Sequence, residues 1–336
     1  MNTGHRYLFY PGSRIIIYRL PKSLGTAHDM IFIYYIIMHG SFKAIFPALL
    51  LGLAAYLPAP ALSDGPMAFI YNAPESALDR RYDYHWEILK TALERTSAKY
   101  GDYIMRASAR MSEKRQTLEL IKGTDEISVM HLGTTQALEQ KLLPVRIPVD
   151  KNLSGYMVYL IRKDLQDKFD EVRSLSDLQS FTIGQGTGWL DVEILQHNGF
   201  KVVQGANYDG LFTMLIRNRF DAFQRSAVEV LDEYDQRSAD MPDLQIEKNV
   251  LLYYPLPMYF WFSKTSQGQR LAARAREGMM MMIEDGTYDE IFNRYHADKI
   301  KRLGLRGRRF FKIDNPLLSD KTPFADKRLW FDPRLP

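Results

Sequence analysis

The stretch Phe181-Thr-Ile-Gly-Gln-Gly-Thr-Gly-Trp189, continuing to Phe200-Lys-Val-Val203, decides the fold. An apolar run feeds a glycine turn, a short helical segment, Gly199 and a second apolar run, which spells strand, turn, helix, strand. The turn leaves several backbone N–H groups at a helix start with little side-chain cover. Such groups, together with the helix dipole, suit a carboxylate or another anion. The spacing therefore predicts Thr187, Gly188 and Trp189 as ligand contacts.

Outward from this unit the same alternation recurs. Residues 67–71, 103–107 and 127–130 are predicted strands. Between them lie helical segments at 83–96, with Tyr84, Ile88, Leu89 and Leu93 on one face, and at 113–122, closed by Gly123. A second unit begins with the strand-like run 156–161. It contains the glycine turn, helices near 189–197 and 209–216, a strand at 220–223, and one aromatic return strand over 251–262. Helices follow at 269–283 and after Gly286. Strands alternating with helices predict an α/β protein in which one unit is inserted into the other. Two strands, near 156–161 and 255–262, would join the lobes, and the cleft between such lobes is the default small-ligand site. The expected division is 64–155 with 263–298 as lobe 1, 156–262 as lobe 2, and 299–336 as a basic extension packing on lobe 1.

Charge narrows the function classes. Residues 1–63 hold five of the 44 Lys/Arg and one of the 40 Asp/Glu, so 39 of each remain from Asp64 onward. A neutral body argues against a general nucleic-acid binder. Residues 299–312 are the local exception, with seven Lys/Arg and no acid, and read as a solvated run or a docking patch. There is no cysteine, which removes disulfides, thiolate metal sites and a cysteine nucleophile. The run Ala-Ile-Phe-Pro-Ala-Leu-Leu-Leu-Gly-Leu-Ala-Ala-Tyr-Leu from Ala44 follows Lys43 and precedes Pro58-Ala-Pro-Ala-Leu-Ser63. It has the length and small-residue exit of a cleaved export signal, so 38–63 is expected to be a signal peptide and the mature protein periplasmic. Residues 1–37 fit neither signal nor domain and are expected to be untranslated or disordered.

Several pieces, in order, resemble the periplasmic solute-binding proteins of family 3, the type that serves amino-acid ABC importers. They are the first strand and then Pro74-Glu75, Leu120-Ile-Lys-Gly-Thr-Asp125, Ser154-Gly-Tyr156, Val172-Arg-Ser-Leu-Ser-Asp-Leu178 before Ile183-Gly-Gln-Gly186, Arg219-Phe-Asp-Ala222, and Gly286-Thr-Tyr-Asp-Glu-Ile-Phe292. The resemblance spans about residues 66–295. It implies the two-lobed type 2 periplasmic-binding-protein fold, each lobe a mixed sheet flanked by helices and joined by two crossing strands. It also implies a monomeric, non-enzymatic receptor without cofactor or metal, which closes on a small molecule and delivers it to a membrane permease. The same fold serves as a sensing subunit for a separate membrane protein, and a few relatives are lyases.

The departures from that family bear on the ligand. The Arg that such binders carry after the third strand, for an α-carboxylate, is absent from Gly133-Thr-Thr-Gln-Ala-Leu-Glu-Gln-Lys141. The Asp expected for an α-ammonium after the Asp-Ala pair is replaced in Asp221-Ala-Phe-Gln-Arg-Ser226, where Arg225 and Ser226 stand instead. An arginine there attracts an anion and repels an ammonium, so an anionic, amino-acid-like solute is expected. For Arg225 the alternative is an internal salt bridge with a neighbour such as Glu229. Tyr71, Glu75, Thr134 and Thr135 complete the expected ligand set, each against the plainer role of a surface or packing residue. Arg146 is a further candidate cation of lobe 1. His131 is expected to be packed rather than ligating, and of Met279–Met282 one or two are expected to face inward as core filler. Gly184-Gln-Gly-Thr-Gly188 lacks the third glycine of a dinucleotide loop and the Lys-Ser/Thr of a phosphate loop.

Overall fold

Within Asp64–Pro336 the first lobe is built on two small sheets, of two and three strands, and the second lobe on one seven-stranded sheet, and the order in which the strands join them explains the lobes. The computed structural model describes residues 65–73 and 82–335, plus an isolated two-residue strand pair, Phe9–Tyr10 and Ser13–Arg14. The expected signal peptide and Glu75 lie outside the described residues. Asp64–Pro336 is one compact unit.

The first lobe opens with β1 (Met67–Tyr71), α1 (Asp83–Arg95), α2 (Ser97–Tyr100), β2 (Tyr103–Ala107), α3 (Glu113–Lys122), β3 (Met130–Gly133), α4 (Gln136–Lys141) and β4 (Leu143–Val145). β1 and β2 run parallel, from Met67 opposite Tyr103 to Tyr71 opposite Ala107. The N–H groups of Ser128 and Val129 both donate to the Ile70 carbonyl, and the Ser128 hydroxyl bridges Ile70 N–H and Ala68 O. The third strand therefore starts three residues later than expected, because 127–129 is spent tying the chain to β1. α1 buries Tyr84, Ile88, Leu89, Ala92 and Leu93, the face its period marked.

The second lobe contains β5 (Tyr156–Arg162), α5 (Gln166–Asp170), α6 (Leu175–Gln179), β6 (Thr182–Gly186), α7 (Leu190–His197), β7 (Lys201–Gly205), α8 (Tyr208–Ile216), β8 (Ala222–Ser226), α9 (Val230–Arg237), β9 (Leu244–Ile246) and β10 (Val250–Tyr253). β5 is buried from Tyr156 to Ile161. Met157, Tyr159 and Ile161 face Phe169, Leu178 and Leu195, while Val158 and Leu160 belong to the core that includes Phe212, Leu215 and Leu231. A strand covered on both faces needs an uninterrupted apolar run, which is what its sequence supplies.

β11 (Met258–Phe262) then returns to the first lobe, between β3 and β4 and antiparallel to both. α10 (Ser266–Asp285) packs against α1, with Gly278 so close to Ala92 O that a methyl group has no room. Met279 and Met282 are fully buried and Met281 is exposed, as the helical spacing requires. Gly286, at φ 86°, ends α10 in the left-handed conformation and lets α11 (Thr287–Leu303) start at once. β12 (Arg309–Lys312) closes the series, and the seven-stranded second-lobe sheet reads β12-β10-β5-β8-β6-β7, with β9 also on β5.

Three expectations are corrected here. The single return strand over 251–262 is two strands in different sheets, because Pro255 and Pro257 interrupt it and cannot donate to a ladder. The β5 segment lies wholly in the second-lobe sheet, so the crossings are the chain just before it and 254–257. The extension after Lys299 does not pack on the first lobe alone: β12 pairs parallel with β10, Val250 opposite Arg309 and Tyr253 opposite Lys312. The basic run is largely solvated, with Lys301, Arg302, Arg306 and Lys312 exposed, and several of its charges are paired within the chain. Lys299 binds Asp232 at 2.5 Å, Arg302 binds Asp235 at 3.0 Å, and Arg308 donates to the Glu247 carbonyl at 2.6 Å.

Candidate functional site

The glycine turn lies where the two lobes meet. A Cβ placed on Gly133, at the end of β3, would stand 2.9 Å from Leu190 Cδ1, in the first turn of α7, with Leu256 of the crossing segment beside it. Leu190 thus carries the second lobe onto the first, and the turn 187–189 sits at that seam with Thr187 and Gly188 exposed.

The turn is less bare than expected. Thr187 N–H donates to Gly205 O at 3.0 Å and Trp189 N–H to Gly186 O at 3.1 Å. Among the described residues only the Gly188 amide of the three is left without a backbone acceptor. The cause is local. Gly188 at φ 85° folds the chain tightly enough for the Trp189 indole to lie against Gly186, where no side chain fits. Of the three amides expected to face an anion, that of Trp189 closes the turn and that of Thr187 extends the ladder to β7.

Arg225 is buried on β8, and its charge is engaged. Nε donates to Glu233 Oε2 at 2.7 Å, and Nη2 to Glu233 Oε1 at 2.6 Å and to Glu229 Oε2 at 2.7 Å. The Glu233 contact is the two-pronged fork that suits a guanidinium and a carboxylate. Burial works to lower the Arg225 pKa, and the two carboxylates overcome it, so the net shift is upward. Of the two roles open from sequence, the structure shows the internal ion pair, with Glu233 as the main partner and Glu229 as the second. Its guanidinium also lies 4.9 Å from the Trp189 ring and 5.9 Å from Tyr208, whose hydroxyl donates to Glu233 Oε1 at 2.6 Å. Trp189, Arg225 and this aromatic wall form one cluster. Ser226 is buried and its hydroxyl accepts from Val228 N–H at 3.2 Å.

On the first-lobe side, Thr135 caps α4, its hydroxyl accepting from Leu138 N–H at 3.0 Å. Thr134 is fully buried, and its hydroxyl has no hydrogen-bond partner among the described residues. Tyr71 is half-buried and stacks on Trp86 at 4.7 Å, inside the first lobe. Arg146 is paired with Glu139 at 2.7 Å, which spends the other candidate cation. His131 stacks on His85 with ring centres 3.7 Å apart, and burial holds its pKa down at about 3. The structure thus joins Trp189, Arg225 and Ser226 on the second lobe, sets Thr134 and Thr135 on the first lobe beyond Gly133, and leaves Tyr71 in a separate stack.

Sequence reasoning missed a buried relay. Gln224 Nε2 donates to the Tyr254 hydroxyl at 2.7 Å, and Tyr254 donates to Asp191 Oδ1 in the first turn of α7. Burial raises the Asp191 pKa, while the Tyr254 bond and the Arg225 charge oppose the rise. An acid two residues after Trp189, at the positive end of a helix, was the available signal. Tyr254 had none, because its place depends on where the crossing segment runs.

No protein-family model matches the chain, and no curated protein matches it in sequence. In structure it resembles solved substrate-binding proteins of amino-acid ABC importers. An ancestral arginine-binding protein bound to arginine is 18% identical with a TM-score of 0.47, the match covering 69% of this chain and 99% of that one. A binding component of an ABC transporter from Wolinella succinogenes, complexed with lysine, is 14% identical with a TM-score of 0.49, covering 70% and 97%. An ancestral amino-acid-binding protein described as a precursor of cyclohexadienyl dehydratase is 15% identical with a TM-score of 0.45, covering 69% and 96%. Likenesses at these values carry nothing about ligand or partner.

Proposed function

We propose that this chain is a periplasmic substrate-binding protein that captures a small polar, amino-acid-like solute between its lobes and passes it to the membrane permease of an ABC importer. The observation that carries the proposal is the seam itself. The exposed turn 187–188 leads into the α7 N-terminus, where Leu190 lies against Gly133 at the end of β3, beside Leu256 of the crossing segment. Leu190, Leu256 and Met258 give the seam an apolar wall, with the exposed Thr187 and Gly188 in the turn next to Leu190, and an apolar lining with a few polar groups is the usual make-up of a small-molecule site.

The net anion expected from Arg225 alone is not what its surroundings favour. One guanidinium faces two carboxylates, Glu229 and Glu233. The cluster carries a net negative charge, and this suits a solute with an ammonium group, such as a zwitterion, better than a simple dicarboxylate. A thermal-shift screen of amino acids, amines and carboxylic acids on the whole protein tests this. At a hundredfold excess over the dissociation constant a true ligand adds about 2.7 kcal/mol of stability. A shift with amino acids and none with dicarboxylates supports the reading. A shift with dicarboxylates alone restores the anion, and no shift with any class ends the receptor proposal.

A further inference from the structure

The chain crosses between the lobes a third time. After β12 in the second-lobe sheet, Asn315 Nδ2 donates to Pro255 O, on the crossing segment, at 2.8 Å. Two residues on, the tail reaches the first lobe. Gln136 N–H, the first amide of α4, donates to Leu317 O at 2.8 Å, and Gln136 Nε2 donates to Leu318 O at 2.8 Å. Ser319 Oγ donates to Glu139 Oε1 at 2.8 Å. The tail then doubles back over the other crossing, where Phe331 N–H donates to Lys151 O at 2.8 Å and the Tyr156 hydroxyl to Phe331 O at 2.7 Å. Phe331 also packs on Phe292 of α11, ring centres 5.5 Å apart.

The route has a mechanical meaning. A hinge between two lobes opens by changing dihedrals in the crossing segments. Here a third segment starts in one sheet and is anchored on the other lobe, at the N-terminal end of α4 next to Thr134 and Thr135. The lobes cannot part at that edge while Leu317–Ser319 holds α4.

We propose that residues 315–331 are a strap that locks the lobes together, and that its first-lobe anchor at Gln136 and Glu139 must detach before the cleft opens. The strap rests on the two-lobed capture reading for its biological sense, but it is tested without any solute, so its failure is separate from failure of that reading. Because the chain has no cysteine, Lys114→Cys on α3 and Gln196→Cys on α7, both exposed, take one spin label each. The distance distribution between them is measured by pulsed electron spin resonance in the full chain and in a Gln136→Pro, Ser319→Ala variant. Proline is tolerated as the first residue of a helix, and Thr135, at φ −140° and ψ 153°, already has the extended conformation that precedes proline. The variant removes the three hydrogen bonds that join the strap to α4, each worth roughly a fivefold factor in an equilibrium, so the ratio of detached to strapped molecules rises about a hundredfold. A new, longer distance in the variant is the expected result. A distribution superimposable on that of the parent overturns the strap. Should the proline variant fail to fold, the chain ended at Asp314 gives the same comparison with the same two outcomes.

Discussion

Replacing Arg225 with methionine separates a structural ion pair from a cation kept for ligand. The Arg225 side chain is 10% exposed and that of Glu233 is 9%, so solvent does little to screen either. Methionine fills the stem volume but leaves Glu233 buried without its fork, and breaking a buried pair from one side costs about 3–5 kcal/mol. For a unit of this size the midpoint of thermal unfolding falls by roughly 2–4 °C per kcal/mol, so a drop of about 6–20 °C is expected in the ligand-free protein. Arg225→Met with Glu233→Leu removes both charges and recovers most of the loss, giving a coupling energy of about 2 kcal/mol or more in a double-mutant cycle. The assay is urea unfolding of the full chain followed by circular dichroism. A loss below about 1 kcal/mol in the single variant, or strict additivity in the double, would refute the argument, because neither fits a desolvated pair.

Other outcomes follow from the same coordinates. The His131 and His296 pKa values are held down at about 3 by burial, and that of His85 is also well below its usual value. The unfolded chain binds these protons near pH 6.5 and the folded chain does not, so stability is full above that value and declines as pH falls toward 3, by about 1.4 kcal/mol per pH unit for each histidine. Unfolding free energies at pH 7 and pH 5 should differ accordingly, and His131→Phe should flatten the slope; an unchanged slope contradicts the assignment. Gly278→Ala is expected to cost about 1–3 kcal/mol, since α10 must move off Ala92 O, whereas Gly307→Ala, which meets nothing, should stay within about 0.5 kcal/mol. Arg274, fully buried, donates to the carbonyls of Leu93, Gly101 and Asp102. Arg274→Met should therefore lower the denaturant midpoint by an amount equivalent to about 2–4 kcal/mol, and an unshifted midpoint would show those carbonyls find other donors.

Much of the architecture was legible because it is written in periodicity. The α1 face, the buried β5 run and the inward pair among Met279–Met282 each follow from residue spacing along one element. The site was less legible, because its chemistry depends on which elements are neighbours. Glu229 lies one helical turn past Arg225 and was open to inference. Glu233, eight residues on, reaches the same guanidinium only because α9 folds back over β8. The amides of Thr187 and Trp189 looked free in a linear reading; the first is taken by Gly205 O at the end of the paired strand β7, and the second by Gly186 O where the chain turns back. The tail escaped for a similar reason: Arg309–Lys312 has no period of its own, and its partner, β10, is an edge only if the return strand breaks at Pro255.

The parallel pairing of β12 with β10 also bears on how the protein assembles. Residues 254–308 intervene between those two strands, and they build much of the other lobe in the meantime. Until Arg309–Lys312 arrives, β10 presents a row of unpaired backbone groups, a template on which another chain could nucleate. A contact of such sequence separation closes late and slowly. Kinetic trapping and aggregation should therefore be most acute in refolding intermediates that lack this last strand, and a short peptide copying residues 309–312 has a ready place to compete.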